Sequence, residues 1–254
     1  MISFTTDYGL SDGFVAACHG VLARLAPAAR VIDVTHLVPP GDVRRGAAVL
    51  AQTVPSLPRG VHLAVVDPGV GTARRPVALA TGDGSLLVGP DNGLLLPAAA
   101  ALGGVATAVH LTNRVWFAAS VSSTFHGRDI FAPVAARLFS GAPLSEGGPE
   151  ITDLVALPDP YVEQRPGLLA SDVLTVDHFG NVQLAVPASA LASLPAAVLV
   201  DGAPAVHAAT FGDAGPDELV LFADSAGYAA VAVNGGSAAD RLSLTPDSRV
   251  TITY

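Results

Sequence analysis

The sequence predicts an α/β N-terminal domain with a mainly parallel sheet, plus a smaller all-β C-terminal domain. Three observations carry this reading. Apolar runs alternate with amphipathic segments through the N-terminal part, the βα pattern of a parallel sheet. Glycine and proline concentrate between residues 141 and 167. Beyond them, short apolar runs are separated by turn residues, as in a small β domain. The expected boundaries are 1–150 and 168–254, with 151–167 as a linker.

Each element has a local reason. Residues 2–6, 31–34, 61–66, 77–80 and 86–88 are apolar runs of strand length. The stretch 11–25 has helical spacing, with Phe14, Cys18, Val21, Leu22 and Leu25 near one face. Ser11 or Asp12 can cap it, and Pro27 follows its end. Asp42 can cap a second helix that turns Val43, Ala47, Leu50 and Val54 inward, and 129–139 reads as a third. In the C-terminal part, 174–176, 198–200, 219–222 and 250–253 read as strands. Residues 177–181 read as a turn, and 225–228 and 233–237 as hairpin turns.

Composition narrows the function classes. Half of the residues (50%) are hydrophobic and 14% are charged, enough apolar surface for a sizeable core. A net charge of -9 argues against a nucleic-acid surface, which needs concentrated Lys and Arg. Cys18 is the single cysteine, so neither an intrachain disulfide nor a cysteine metal cage is expected. Met1 to Asp7 lacks a basic region followed by an apolar stretch, and apolar runs elsewhere are broken by Gly, Pro or charge. The expectation is a cytoplasmic protein without a membrane span.

Asp7, Asp33 and Asp67 each stand at or just past the end of an expected strand, the edge where open parallel sheets bind ligands. Asp67 opens Asp67-Pro68-Gly69-Val70-Gly71-Thr72-Ala73-Arg74-Arg75. This glycine loop lacks the Lys-Ser/Thr of a triphosphate loop and the third glycine of a dinucleotide fingerprint. It reads as a tight turn that returns Arg74 toward Asp67, with one of Arg74 and Arg75 facing the site. His126 lies in Ser123-Thr124-Phe125-His126-Gly127-Arg128-Asp129, beside a glycine that permits close approach. An acid, an arginine and a histidine in such loops can orient and polarise one small nucleophile. Asp12, Asp33, His36, Asp67 and His126 offer no short-range ligand pair, so no metal is expected.

Six motifs in order resemble those of the S-adenosyl-L-methionine hydrolase (hydroxide adenosyltransferase) family, relatives of the fluorinating and chlorinating enzymes. They are Thr6-Asp7-Tyr8-Gly9, Asp67-Pro68-Gly69-Val70-Gly71, Gly89-Pro90-Asp91-Asn92-Gly93-Leu94, Thr124-Phe125-His126-Gly127-Arg128-Asp129, Asp177-His178-Phe179-Gly180-Asn181 and Asn234-Gly235-Gly236-Ser237. The resemblance spans nearly the whole chain. It implies hydrolysis of S-adenosyl-L-methionine to adenosine and L-methionine, with the small molecule as substrate and no cofactor. It also implies a homotrimer that binds substrate between the N-terminal domain of one subunit and the C-terminal domain of its neighbour.

The resemblance assigns residues too. Asp67, Arg74 and His126 match the set that handles water, and any of the three can hold the proton. Asp7 matches the acid at the ribose hydroxyls. Asp177, Asn181 and Ser225 match groups at the amino-acid end, and Phe211 with the Asn234-Gly235 backbone matches the adenine pocket. Gln183 stands where the fluorinating relative has an aromatic ring, and Ala226 and Val233 replace arginines. The halogenating relatives carry an aromatic residue in place of Asp67 and lack the counterpart of His126. Hydroxide is therefore the expected nucleophile. Halide transfer, metal-dependent hydrolysis and non-catalytic adenosyl binding are the alternatives.

Overall fold

The computed structural model describes residues 1–246 and 248–254. The chain forms two compact units, Met1–Leu157 and Pro158–Tyr254.

The first unit holds strands β1 (Ile2–Thr6), β2 (Val31–Thr35), β3 (Val61–Val65), β4 (Pro76–Thr81), β5 (Leu86–Pro90) and β6 (Val105–His110). They form one sheet in the order β2-β1-β3-β5-β4-β6. Helices α1 (Phe14–Leu25), α2 (Val43–Thr53), α3 (Leu96–Ala101) and α4 (Ala132–Phe139) cover it. Alternation along the strands builds the two faces. Val61, Leu63 and Val65 pack with Cys18, Leu22 and Val134, on the side of α1 and α4. Ala64 and Val66 pack with Ala47, Leu50 and Ala98, on the side of α2 and α3.

The sheet is mixed rather than mainly parallel in its pairing. β2, β1, β3 and β5 pair in parallel, but β4 is antiparallel to both β5 and β6. Only residues 82–85 join β4 to β5. A parallel pair needs a crossover of about a dozen residues, so this connection can only fold back. Asp33 lies within β2, opposite Phe4, and not at a strand end. Neither Ser11 nor Asp12 caps α1, whose N-cap is Gly13 without a side-chain bond. Phe14 and Leu25 are exposed, leaving Cys18, Val21 and Leu22 as the buried face. Asp42 does cap α2, its Oδ1 accepting from Arg45 N at 2.8 Å. The expected helix at 129–139 starts earlier, as a π turn Gly127–Phe131 that runs into α4.

The second unit contains β7 (Val162–Arg165), β8 (Leu168–Val176), β9 (Val182–Pro187), β10 (Ala197–Val200), β11 (Ala203–His207), β12 (Leu219–Ala223), β13 (Tyr228–Val233) and β14 (Arg249–Thr253). Seven of them close a barrel, β14-β10-β11-β12-β13-β9-β8, with β14 pairing back onto β8. β7 lies outside the ring on β8. Leu169, Val182, Leu184, Val231, Val250 and Ile252 fill the interior.

This unit is β-rich rather than all-β. Residues 233–236 do make a tight turn, with Val233 and Gly236 bridged antiparallel, but the chain then enters a short helix, α5 (Ala238–Leu242), rather than a second strand, and Ser237 Oγ accepts from Asp240 N at 3.1 Å. Within the stretch 151–167, Ile151 N donates to Ala108 O at 2.9 Å, Leu154 and Leu157 pack on the first unit, and Val162–Arg165 is β7. No helix among the described residues is long and apolar enough to cross a membrane.

Candidate active site

β1 and β3 are neighbours at the centre of the first sheet, yet the chain leaves them toward opposite edges. Such a switch point opens a crevice at the carboxyl ends of the strands. A cavity of about 270 Å³ lies there, lined by Asp7 and Tyr8 after β1, by Asp67, Pro68 and Val70 after β3, and by Thr124, His126 and Gly127.

Turn chemistry brings the two outer loops together. Gly71 has a φ of 78°, and a Cβ there would meet Ser123 O at 2.5 Å. The Asp67 loop thus folds tightly against the chain that leads to His126. That second loop is pinned by Asp129, which is buried. Its carboxylate accepts from Ser122 N at 2.8 Å and pairs with Arg128, while its carbonyl accepts from Ala118 N. A Cβ on Gly127 would meet the Tyr8 hydroxyl at 2.0 Å, so only glycine admits that ring. Tyr8 packs edge-on against Phe125, and Phe14 lies beside both rings.

Asp67, Arg74 and His126 meet. Arg74 Nε donates to Asp67 Oδ1 at 3.0 Å, Arg74 Nη2 donates to Asp67 Oδ2, and the same Nη2 donates to His126 Nδ1 at 3.0 Å. The Asp67 and Arg74 side chains are each only 6% exposed, and the guanidinium lies 5.2 Å from the Phe131 ring centre. Asp67 and His126 line the cavity, whereas Arg74 is not among its lining residues. Arg75 turns away, to Asp91 and Asp153. Burial pushes the Asp67 carboxyl above its ordinary range against the pull of Arg74. Burial first, and then Arg74, hold the His126 imidazole below its usual value.

Since arginine only donates, His126 Nδ1 accepts, and the neutral ring carries its proton on Nε2. The arrangement offers a carboxylate of raised basicity, an imidazole N–H and a small cavity, which suits orienting water for attack. Asp7 Oδ2 accepts from Gly41 N at 2.8 Å at the other side of the same cavity. Tyr8, Gly41 and Thr124 line the cavity without having been singled out from the sequence. Tyr8 and Thr124 sit inside quoted motifs, a signal that was present in the chain.

In the second unit, Asp177 holds its own turn. Its Oδ1 accepts from Phe179 N and Asn181 N, and its Oδ2 from Asn181 Nδ2 at 2.8 Å. Gly180 O accepts from Ala239 N, so this turn abuts α5 just past Asn234 and Gly235. Asn234 Nδ2 donates to Ala214 O, the residue that ends the short turn Phe211–Asp213. Phe211 packs on Phe222 with ring centres 4.8 Å apart and is 44% exposed. These bonds tie the Asp177–Asn181 turn to the start of α5, and Asn234 to the end of the turn that carries Phe211. Ser225 lies in the β12–β13 turn, at the other end of β13 from Asn234.

A cavity at the switch point of an α/β sheet, lined by a polarised acid and histidine, defines an enzyme of the water-activating class, here joined to a β-barrel unit. Residues 2–148 match the SAM hydroxide adenosyltransferase N-terminal domain, and residues 171–251 match its C-terminal domain. This chain belongs to the SAM hydroxide adenosyltransferase family. It is 68% identical to a Salinispora tropica protein named (R)-S-adenosyl-L-methionine hydrolase, over 99% of this chain and 97% of that one. An Actinoplanes fluorinase is 30% identical, over 100% of this chain and 97% of its own length. The crystal structure of an uncharacterized conserved protein from Thermotoga maritima superposes with a TM-score of 0.93 at 37% identity, covering 99% of this chain and all (100%) of that one.

Proposed function

We propose that this protein hydrolyses S-adenosyl-L-methionine to adenosine and L-methionine. The observation that carries the reading is the Asp67–Arg74–His126 cluster at the cavity, in a chain so similar to a named hydrolase. Water attacks C5′ of the ribose in line with the sulfonium. The new O–C5′ bond forms as the C5′–S bond breaks, and its electron pair goes to sulfur. Methionine leaves as a neutral thioether, so no general acid is needed, and one proton is released. Asp67 takes that proton, its acidity already weakened by burial. His126 Nε2–H holds the nucleophilic oxygen, and Arg74 is a positioning residue that keeps acid and imidazole in register. Asp7 receives the ribose hydroxyls.

The cavity of about 270 Å³ carries Asp7, Asp67 and His126 in its wall, which suits the ribose and sulfonium end. Asp177, Asn181 and Ser225 bind the amino-acid end, and Phe211, Asn234 and Gly235 the adenine. None of these lines the cavity of the first unit. A homotrimer, with the second-unit residues supplied by a neighbouring copy, belongs to the same proposal. So do cytoplasmic residence and a reaction that uses no cofactor. The Salinispora tropica relative's name specifies the (R) sulfonium epimer, and we extend that preference to this chain.

The test is to incubate the purified protein with each sulfonium epimer, with and without chloride, and to identify products by mass spectrometry. Adenosine from the (R) epimer is expected, and Asp67→Ala or His126→Ala should lower turnover while substrate still binds. A 5′-halogenated adenosine would assign halide transfer. Tight binding without product would make the protein an adenosyl binder. Wild-type turnover in both variants would sink the assignment of Asp67 and His126.

A further inference from the structure

A second cluster stands at the edge of the first sheet, away from the cavity lining. Phe4 and Asp33 are register partners on β1 and β2, so Asp33 shares the face of the sheet that α1 covers. His19 projects from α1, and its Nε2 lies 2.9 and 3.2 Å from the two Asp33 carboxylate oxygens. His36, just past β2, brings its Nε2 to 3.1 Å from Asp33 Oδ1. That nitrogen is buried without a hydrogen-bond partner, and the His36 side chain is 4% exposed. Both imidazoles pack edge-on against the buried Phe4 ring, with centres at 5.8 and 4.8 Å.

We propose that His19, Asp33 and His36 form a binding site for a borderline divalent transition metal, for which zinc is the probe. Two imidazole nitrogens and one carboxylate are the donor set such ions take, with water completing the shell. Metal–ligand bonds of about 2.0–2.1 Å put the donors of a tetrahedral centre roughly 3.4 Å apart. Here one donor atom from each residue lies within 4.8 Å of the others, and the two nitrogen–oxygen separations are 2.9 and 3.1 Å. His36 is already oriented as a ligand. Its Nδ1 lies 2.9 Å from Thr6 Oγ1, so with a proton on Nδ1 the ring donates there and frees the Nε2 lone pair. Asp33, 45% exposed, leaves a solvent-facing side for entry and for water ligands.

A bound ion clamps α1 to the edge strand β2. It also fixes Thr6, whose Oγ1 accepts from Tyr8 N at 3.2 Å and which precedes Asp7 in the cavity wall.

The test is titration of the intact, metal-stripped protein with Zn²⁺ by calorimetry, and with Co²⁺ by visible spectroscopy. One ion per chain is expected, with the d–d bands of a Co²⁺ site that has nitrogen ligands. Saturation should raise Tm by about 5 °C at a hundredfold excess over Kd. His19→Ala and Asp33→Asn alter partly exposed side chains and should each weaken uptake at least tenfold, whereas His126→Ala should leave it unchanged. Absence of saturable uptake, equal uptake in wild type and both cluster variants, or loss of uptake in His126→Ala would overturn the proposal. The three residues would then be a hydrogen-bonded network only.

Discussion

Arg74 donates from Nη2 to Nδ1 of His126 over 3.0 Å while its fork holds both oxygens of Asp67. One side chain therefore fixes the spacing of the carboxylate and the tautomer of the imidazole together. Lysine keeps the charge but loses the planar fork. Arg74→Lys should lower kcat by about 10²-fold or more, the usual size of an acid–base contribution, and change KM little. Steady-state kinetics decides. A raised KM with unchanged kcat would move Arg74 to substrate binding.

The pH profile has a defined sign. His126 must be neutral to accept from Arg74, and Asp67 must be ionised to take a proton, so acid removes both. Burial displaces His126 downward and Asp67 upward, so activity should fall as pH is lowered, and the Asp67 limb should lie above the ordinary carboxylate range. Burial raises the Tyr8 phenol, so Tyr8 adds no limb in the weakly alkaline range. kcat/KM should therefore show an acid limb without a Tyr8 limb in the weakly alkaline range. Activity that rises on acidification would contradict the site as drawn.

His62 offers a stability test far from turnover. It is 1% exposed in β3, its Nδ1 lies 2.8 Å from Ser3 Oγ, and burial brings it down to about 4. Between about pH 4 and 6.5 the unfolded chain binds a proton that the folded chain refuses, so stability falls as pH falls through this window. The full effect is about 3 kcal/mol. His62→Asn keeps a polar atom near Ser3 and cannot titrate. Urea unfolding at a series of pH values should show a flatter profile for the variant. Parallel profiles would remove His62 as the cause.

Gly127→Ala forces a methyl into the space of the Tyr8 hydroxyl, 2.0 Å from where its Cβ would sit. The ring packs against Phe14 and Phe125, which also touch each other, so any shift disturbs this aromatic group and the cavity that Tyr8 lines. Overpacking of this kind costs about 1–3 kcal/mol, and turnover should fall with it. Thermal unfolding and kinetics of the one variant read both effects, and unchanged values in each would show that Tyr8 moves freely.

The trimer reading predicts complementation. Asp67→Ala damages only a first-unit site and Asp177→Ala only a second-unit site. Each variant alone should be nearly inactive. Co-refolded mixtures should regain activity where an intact first unit meets a neighbour's intact second unit. Light scattering checks the assembly, and a monomeric, fully active protein would end this part of the proposal.

Much of the architecture was legible because strong apolar runs such as 61–66 leave little choice. β6, built largely from Ala, Val and Thr, was not, since its sides differ too little for periodicity to register. β11 and β13 are harder to read because both are rich in alanine, and β9 because Gln183 interrupts its apolar run. Asp33 was misplaced because β2 runs to Thr35, a length that only pairing with β1 sets. The meeting of Asp67 with Arg74 was visible in a local turn of seven residues' separation. The meeting of His19 with Asp33 depends on how α1 lies across the sheet, which no local spacing encodes.

The closing of the barrel by β14 has a consequence for biosynthesis. The first unit is complete at Leu157, so it can form while the chain is still being made. The second unit needs its last strand to join β10 to β8. Until Arg249–Thr253 has cleared the ribosome, β8 and β10 present open edges, the kind that pair with other chains. Nascent chains stalled short of β14 should be the species that aggregate or recruit chaperones.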